Sequence, residues 1–260
     1  MFPLFLSAVI AAGVSLGGSY WLAHALRARG RSQPILQRNA DNIVAPEHQH
    51  KAGTPTMGGI AILGAALLGY LISHVREGVV FSNQALIAFG GVILMAAIGS
   101  IDDIMKIRAR QNRGLFWKLK GVITLLASFS IAAALVIFTE IDTRVSLTRA
   151  DIPGWELGSV GWVIWAGLII FCTTNAVNVT DGLDGLASGA ALFGFIAFAG
   201  IAYAGFRTPE VYGTIVNPYD LAVFSAAFGG ACIGFLWMNA APALIFMGDV
   251  GALAIGTALA

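Results

Sequence analysis

Five aspartates stand at or beside the ends of long apolar runs, where charged side chains are costly and therefore usually functional. They are Asp102, Asp103, Asp181, Asp184 and Asp249. Carboxylates that converge on one face of a membrane protein suit a divalent cation or cationic groups. Mg²⁺ in particular is bound by a few carboxylates together with phosphate oxygens. A single aspartate could merely cap a helix, but five on one face would predict a site.

The adjacent pair Asp102-Asp103 lies in the segment from Ser100 to Lys106. In a helix the two carboxylates point to different sides, yet both remain within one turn of Lys106. The pair could bind Mg²⁺ or orient a phosphate through the metal. A salt-bridged helix end is the alternative, and an isolated acidic pair would favour that alternative.

The most specific signal is a polar ladder over residues 175–187. Its four polar members recur every three residues, and they are Asn175, Asn178, Asp181 and Asp184. In helical or near-helical backbone these side chains share one face, while Gly182 and Gly185 interrupt the helix. The segment holds no Lys or Arg. A cation or a polar ligand is therefore the expected partner of its carboxylates.

A further acidic residue, Asp249, lies in an otherwise apolar stretch that starts at Asn239. An unpaired charge there would cost several kcal/mol, so Asp249 must pair, and a metal is the natural partner. Phe246 lies three residues earlier, on roughly the same helical face. Its ring could stack on a base or simply pack against lipid or protein.

A Gly- and Pro-rich segment, residues 51–59, precedes the second apolar run with the sequence Lys-Ala-Gly-Thr-Pro-Thr-Met-Gly-Gly. Its glycines and its proline prevent a regular helix and let backbone N–H groups approach a ligand. Lys51 adds a positive charge, and Thr54 and Thr56 add hydroxyls. The segment is either a phosphate-binding loop or an ordinary turn at the membrane entrance.

Composition identifies the class of protein that positions these residues. Of 260 residues, 57% are apolar and 11% charged, and the mean hydropathy is +0.80. A soluble domain carries roughly 25% charged residues, so a water-soluble domain is excluded. Disorder is excluded too, because it requires low hydrophobicity and high charge. The net charge of +1 gives no reason to expect nucleic acid as a partner.

Runs of apolar residues predict the membrane helices, since about 20 such residues cross a hydrocarbon core. They predict an all-α, polytopic membrane protein with about eight transmembrane helices present. The runs are Leu4–Leu26, Gly58–Val75, Ala85–Ile101, Leu119–Phe138, Val160–Ala176, Leu186–Phe206, Leu221–Met238 and a last run from about Ala243 to Ala260.

The basic residues orient these helices. The alternate connecting segments over residues 27–57, 102–120, 177–185 and 239–249 hold 11 of the 15 Lys and Arg residues. Because cytoplasmic loops carry the excess of Lys and Arg, this set is predicted to be cytoplasmic and the N-terminus to lie outside. All five aspartates then face the cytoplasm.

At these motifs the chain resembles the phospho-N-acetylmuramoyl-pentapeptide transferases, a branch of the polyprenyl-phosphate N-acetylhexosamine-1-phosphate transferase superfamily. The superfamily shares the acidic pair, the Asn/Asp-rich loop and the late Gly-Asp dipeptide. The segment 51–59 looks specific to the muramoyl-pentapeptide branch, and Pro46-Glu47-His48 fits that branch as well. The resemblance runs from about residue 34 to residue 260.

The resemblance implies a reaction and a setting. Undecaprenyl phosphate would attack the β-phosphate of UDP-N-acetylmuramoyl-pentapeptide, releasing UMP and forming the first lipid-linked peptidoglycan precursor. It also implies about ten transmembrane helices, an Mg²⁺-dependent active site in a cytoplasmic cleft, a multi-pass location in the inner (plasma) membrane, and a homodimer. Nucleic acid is not among the implied partners.

The resemblance also implies residue roles by motif position. The implied metal ligands are Asp102, Asp103 and Asp249, which act as catalytic residues together with Lys106. The implied substrate-binding residues are Lys51, Thr56, Lys120, Asn175, Asn178, Asp181, Asp184, Asn239 and Phe246.

The chain departs from the family near its end. A helix from Asp249 to Ala260 would rise only about 16 Å at about 1.5 Å per residue, and the family's histidine-bearing cytoplasmic loop is not in this sequence. We therefore expect residues 1–260 to form a single transmembrane transferase domain that is incomplete at its C-terminus.

Two other functions fit parts of the pattern. A sister enzyme that moves N-acetylglucosamine-1-phosphate would keep the aspartate motifs, but we do not expect it to keep the segment 51–59. An ion-coupled transporter also uses broken helices and acidic residues, near the bilayer midplane and often in repeated halves. Here the acids lie at one face and the sequence has no internal repeat, so the transferase is favoured.

Overall fold

The structure is a computed structural model that describes residues 1–28, 53–75, 80–109, 114–145, 154–209 and 217–260. These ranges contain eight helices and one short hairpin. The helices are α1 Phe2–Ala28, α2 Gly59–His74, α3 Asn83–Ala109, α4 Trp117–Phe138, α5 Gly158–Thr180, α6 Leu186–Arg207, α7 Pro218–Asn239 and α8 Gly248–Leu259. In the hairpin, β1 Arg144–Val145 pairs antiparallel with β2 Trp155–Glu156. The prediction of an all-α, polytopic membrane protein is confirmed.

The helices differ from the predicted runs in length. Within the described ranges, six helices are long and apolar enough to cross a membrane, whereas α2 has 16 residues and α8 has 12. The last run does not become helical at Ala243 but at Gly248. The residues just before Gly248 do not extend the helix. Pro242 has no N–H to donate, and the Leu244 N–H donates to the Met238 carbonyl at 2.8 Å, back toward the end of α7.

Helix α7 lies at the centre of the larger of two apolar clusters, to which α1, α2, α3, α6 and α8 also contribute. Two thirds of its most apolar 18-residue stretch is buried. It packs against α1, α2 and α6. Aromatic rings fill the contacts, with Phe228 4.8 Å from Phe224 and 5.4 Å from Phe195, measured between ring centroids. A helix that is apolar on every side belongs in an interior, which explains its central place.

Helix α8 contributes residues to both apolar clusters and so connects them. Its Leu253 packs with residues of α3, α4 and α5, whereas Val250, Ala252 and Ile255 belong to the larger cluster around α7. The residues from Asp249 to Thr257 are all buried. The N-terminus of α8, and with it Asp249, is therefore held where the two apolar clusters meet.

Two glycine contacts bring α8 close to its neighbours. A Cβ atom on Gly59 would overlap the backbone of Gly251, and a Cβ atom on Gly99 would overlap the carbonyl group of Asp249. Small residues allow this close approach between membrane helices. The contacts bring α2 and α3 each to backbone distance from α8 at the end of the bundle that carries Asp249.

The described parts of the sequence motifs lie at one end of the bundle. The helices α1, α3, α5 and α7 end there, and α2, α4, α6 and α8 begin there. The hairpin and the other helix ends lie at the opposite end. This alternation is the one on which the predicted orientation depends.

Candidate functional site

The site is centred on three buried aspartates from two helices. Asp102 and Asp103 lie in the last two turns of α3, and Asp249 lies in the first turn of α8. One carboxylate oxygen from each aspartate lies within 4.8 Å of those from the other two. The sequence prediction that the acidic pair and the late Gly-Asp converge is therefore matched by the geometry.

Two lysines lie among these carboxylates. Lys106 Nζ is 2.7 Å from Asp102 Oδ2, 2.8 Å from Asp249 Oδ2 and 3.9 Å from Asp103 Oδ1. Lys120 Nζ forms an ion pair with Asp249 Oδ2 and lies 3.6 Å from Asp102 Oδ2. Asp249 has no cation near it in sequence, yet the fold brings it two.

The acidic pair points to two different sides, as expected for neighbours on a helix. Asp102 Oδ1 accepts a hydrogen bond from the Leu115 N–H at 2.6 Å, just before α4. Asp103 Oδ2 accepts one from the Val250 N–H at 3.1 Å, in α8. A backbone N–H just before α4 therefore holds Asp102, and a backbone N–H of α8 holds Asp103.

The helical part of the polar ladder contributes an amide to the site. In the orientation that satisfies its neighbours, the Asn178 amide donates to Asp249 Oδ1 at 3.0 Å and accepts from Lys120 Nζ at 3.0 Å. Asn175 lies one turn earlier on α5 and donates to the Phe171 carbonyl at 2.7 Å. Asn178 is thus the ladder residue that joins the acidic cluster directly.

The second half of the ladder does not continue the helix. α5 ends at Thr180 and the turn that follows closes at Gly185, whose φ of +76° favours glycine. The shared helical face therefore extends over Asn175 and Asn178 alone, and the expectation that all four side chains share one face is wrong. Asp184 instead accepts a hydrogen bond from the Ala243 N–H at 3.3 Å.

Asp181 is the first residue beyond α5 and is close enough to the acidic cluster to feel its charge. Burial, and after it the negative charge of Asp249, raise the pKa of Asp181 to about 8. A cation bound beside it would favour the ionised form, because an opposite charge lowers the pKa of a carboxyl group.

Asn239 and Phe246 flank the loop between α7 and α8. The Asn239 amide accepts from the Gly185 N–H at 3.1 Å and donates to the Ile245 carbonyl at 3.0 Å, which ties two loops together. Phe246 precedes α8, so the expectation that it shares a helical face with Asp249 is wrong. Its ring is half-buried.

The segment 53–59 borders the cluster from the side of α2. Thr56 is buried, and its hydroxyl has no hydrogen-bond partner among the described residues. A Cβ atom on Gly248, where φ is +75°, would lie 2.7 Å from Thr56 Oγ1 and 2.6 Å from Asp103 Oδ2. Thr56 therefore adjoins the acidic cluster. Lys51 and Pro46-Glu47-His48 lie outside the described residues.

The chemistry of these groups fits a small divalent cation such as Mg²⁺. The donors are three carboxylates and a threonine hydroxyl without a partner in the described part of the chain. Oxygen ligands of this kind are those that Mg²⁺ prefers. Three carboxylates also exceed the charge of two lysines, so the cluster has a negative charge to offer.

Sequence reasoning missed the backbone donors and the glycines that shape the site. The Leu115 and Val250 amides have no signature in a sequence, because every residue except proline carries an N–H. Gly99 and Gly114 could have been found only from the close contacts that they allow.

Comparisons with known proteins identify the family that the chain resembles. The model of glycosyl transferase family 4 matches residues 85–260, and the phospho-N-acetylmuramoyl-pentapeptide-transferase signature 1 matches residues 51–63. The chain is 39% identical to the phospho-N-acetylmuramoyl-pentapeptide-transferase of Streptomyces avermitilis, over 100% of this chain and 75% of the relative.

Other relatives carry the same name. The transferase of Frankia alni is 36% identical over 99% of this chain and 74% of its own length. That of Beutenbergia cavernae is 38% identical over 100% of this chain and 76% of its own length. Together with the family models, these similarities show that the chain belongs to the phospho-N-acetylmuramoyl-pentapeptide-transferase family.

Proposed function

We propose that this chain transfers phospho-N-acetylmuramoyl-pentapeptide from its UDP-activated form to undecaprenyl phosphate. The reaction releases UMP and forms the first lipid-linked intermediate of peptidoglycan synthesis. The observation that carries the proposal is the buried cluster of three aspartates and two lysines at one end of a membrane bundle. The signature over residues 51–63 favours this branch over the sister N-acetylglucosamine-1-phosphate transferase.

Charge explains why such a reaction needs this cluster. Both substrates carry phosphates, so a transition state in which they meet must have its negative charge spread by cations and hydrogen-bond donors. Asp102, Asp103 and Asp249 would hold Mg²⁺, which supplies charge neutralisation and orientation for phosphoryl oxygens when it is bound. The aspartates provide the binding energy for the cation rather than for the anionic substrates.

Lys106 and Lys120 would serve the substrate directly. Both ammonium groups lie on Asp249 Oδ2, and each is partly exposed, at 18% of the side-chain surface. An arriving phosphate competes for the same donors, because Lys binds phosphate as a point charge. The two side chains can therefore turn toward the diphosphate without leaving the aspartate unpaired if a cation takes its charge.

The nucleophile is a phosphate oxygen of the lipid, and a carboxylate of the acidic pair can accept its proton. Asp102 has one oxygen bonded to the Leu115 N–H and the other to Lys106. Asp103 Oδ1, in contrast, is 3.9 Å from Lys106 Nζ, beyond hydrogen-bond distance. We assign Asp103 as the base. The lipid oxygen then bonds to the β-phosphorus, and the bond to the oxygen of UMP breaks.

The other site residues would bind the nucleotide and sugar. Asn175, Asn178 and Thr56 offer amide and hydroxyl groups beside the cluster, and Asp181 and Asp184 would contact uridine or support the metal. The half-buried ring of Phe246 can stack on the base. Asn239 would shape this pocket through the loops that it ties together, and Lys51 would contact a phosphate.

The orientation and the assembly complete the proposal. The protein would lie in the inner membrane of the cell. The site end of the bundle would face the cytoplasm, where UDP-linked substrates are found. Two copies would form a homodimer. Single cysteines test the orientation after Cys172 and Cys232 are replaced by alanine. An impermeant thiol reagent added to intact cells should label Glu156→Cys in the hairpin and spare Leu183→Cys in the turn after α5. The reverse pattern would overturn the orientation.

The reaction itself is tested with the chain purified from membranes. UMP release should require UDP-N-acetylmuramoyl-pentapeptide, undecaprenyl phosphate and Mg²⁺ together. Replacement of the donor by UDP-N-acetylglucosamine should give no product. Release with that donor and not with the muramoyl donor would contradict the proposal in favour of the sister enzyme.

A further inference from the structure

Residues 114–115, just before α4, contact the site through their backbone. The Leu115 N–H donates to Asp102 Oδ1 at 2.6 Å, and Asp102 is buried to 1% exposure. A hydrogen bond to a carboxylate is stronger than one between neutral groups. The contact joins a loop residue to a catalytic carboxylate 13 positions earlier in the chain.

The neighbouring glycine is necessary for this contact. A Cβ atom on Gly114 would lie 2.7 Å from Asp102 Cγ and 2.9 Å from Asp102 Oδ2, and it would overlap Asp102 Oδ1. Distances below 3.0 Å are not found for real Cβ atoms. Any side chain at position 114 therefore pushes the segment away from Asp102 or turns the carboxylate.

The contact decides which oxygen of Asp102 faces the rest of the site. With Oδ1 held by Leu115, Oδ2 is directed to Lys106 at 2.7 Å and to Lys120 at 3.6 Å. The same segment continues into α4, which carries Lys120. One short stretch of backbone thus sets the orientation of a carboxylate and the position of the ammonium group that meets it.

We propose that Gly114 and the Leu115 backbone amide form a positioning clamp for Asp102. The clamp holds the carboxylate in the orientation that binds the metal and the lysines, and Gly114 is the residue that lets the amide approach. This inference rests on the proposed function, because it gives the clamp a role in the same transfer reaction.

Two matched pairs of variants test the clamp. Gly114→Ala is compared with Gly121→Ala, because a Cβ atom on Gly121 of α4 meets nothing within 4 Å. Leu115→Pro, which removes the N–H, is compared with Leu115→Ala, which keeps it. The protein is the full chain in detergent. The measurements are kcat and KM for UMP release and, separately, the Mg²⁺ concentration that gives half of the thermal stabilisation.

Loss of a partner that orients a metal ligand typically costs about 10- to 100-fold in affinity or activity. Gly114→Ala should lower kcat by about that factor, leave KM for the UDP-linked donor within about twofold, and raise the Mg²⁺ midpoint about tenfold. Gly121→Ala should match the unmodified chain. Leu115→Pro should fall at least tenfold below Leu115→Ala in kcat. A merely structural role would lower the yield of folded protein without moving the Mg²⁺ midpoint.

The inference is overturned if Gly114→Ala keeps both kcat and the Mg²⁺ midpoint, or if Leu115→Pro and Leu115→Ala behave alike. Failure of the proposed function would look different. The unmodified chain would then release no UMP from its donor, whereas the Mg²⁺ midpoints of the two glycine variants would still report on the clamp.

Discussion

Buried carboxylates lie at both ends of the bundle, and the two groups are built differently. At the site end, Asp102, Asp103 and Asp249 share two lysines. At the opposite end Asp220 of α7 is buried completely, and the chain itself satisfies it. We call the groups the acidic cluster and the Asp220 cluster, the latter comprising Asp220, Tyr70, His74 and Ser82.

The Asp220 cluster has a donor for each carboxylate oxygen. Asp220 Oδ2 accepts from the Tyr70 hydroxyl at 3.0 Å and from both the N–H and the hydroxyl of Ser82 at 2.7 Å. Asp220 Oδ1 lies 2.9 Å from His74 Nε2, while His74 Nδ1 lies 2.7 Å from the Tyr70 carbonyl. The cluster joins α2, α3 and α7 at the ends that lie opposite the acidic cluster.

The difference between the two groups shows what marks a site. A buried carboxylate alone does not, because the Asp220 cluster is as buried and as polar as the acidic cluster. What distinguishes the acidic cluster is an excess of negative charge over its lysines and a threonine hydroxyl unpaired within the described ranges. We expect substitutions in the acidic cluster to change the reaction, and substitutions in the Asp220 cluster to change stability.

The largest expected effect is that of Asp249→Asn. The substitution is nearly isosteric but removes the charge that holds the cation, and such a loss costs several kcal/mol in the transition state. UMP release per folded molecule should fall by about 10³-fold or more. Glu140→Gln, on an exposed residue beyond α4, is the matched control. Wild-type turnover with the same Mg²⁺ dependence would remove Asp249 from the metal site.

Asp220→Ala should have the opposite pattern. Removal of one partner from a buried charged network costs about 3 kcal/mol or more, because the remaining groups lose their partner. The melting temperature in detergent should fall clearly, while kcat per folded molecule stays within about twofold of the unmodified chain. A large loss of kcat with unchanged melting would show that the two ends of the bundle are coupled in the reaction.

The smallest expected effect is that of Tyr70→Phe. The change removes one hydrogen bond to Asp220 Oδ2 and leaves the two from Ser82 in place. The expected loss is about 1 kcal/mol of unfolding free energy, measured as a small decrease in melting temperature. Activity should not change. A loss as large as that of Asp220→Ala would mean that the tyrosine hydroxyl, rather than the carboxylate, is the centre of this cluster.

The sequence was sufficient for the helices and for the members of the acidic cluster. Apolar runs of spanning length predict helices because the bilayer requires internal hydrogen bonding, and Asp102, Asp103 and Asp249 stand out because charge is rare in such runs. Lys51 and several substrate contacts stay predictions, since the resemblance alone supports them.

Other features depend on tertiary contacts that no spacing encodes. The pairing of Asp249 with Lys120 joins residues 129 positions apart, and the clamp on Asp102 uses a backbone amide. Gly182 and Gly185 predicted an interruption after α5, but the Asn/Asp spacing of three is compatible with both a helix and a turn, so it did not show that the shared face ends at Asn178. Asp220 was overlooked because its partners are distant in sequence: His74 ends α2 and Ser82 directly precedes α3.

The contact between the segment 53–59 and the loop before α8 has an evolutionary consequence. Three backbone hydrogen bonds join them, from Phe246 to Pro55, from Gly58 to Phe246 and from Gly59 to Met247. Because main-chain atoms make these bonds, many side-chain replacements would leave them intact, whereas inserting or deleting one residue would shift their register. We therefore expect lineages of this chain to keep the length of this segment, and to keep Gly59 as well, since a Cβ atom there would overlap the backbone of Gly251.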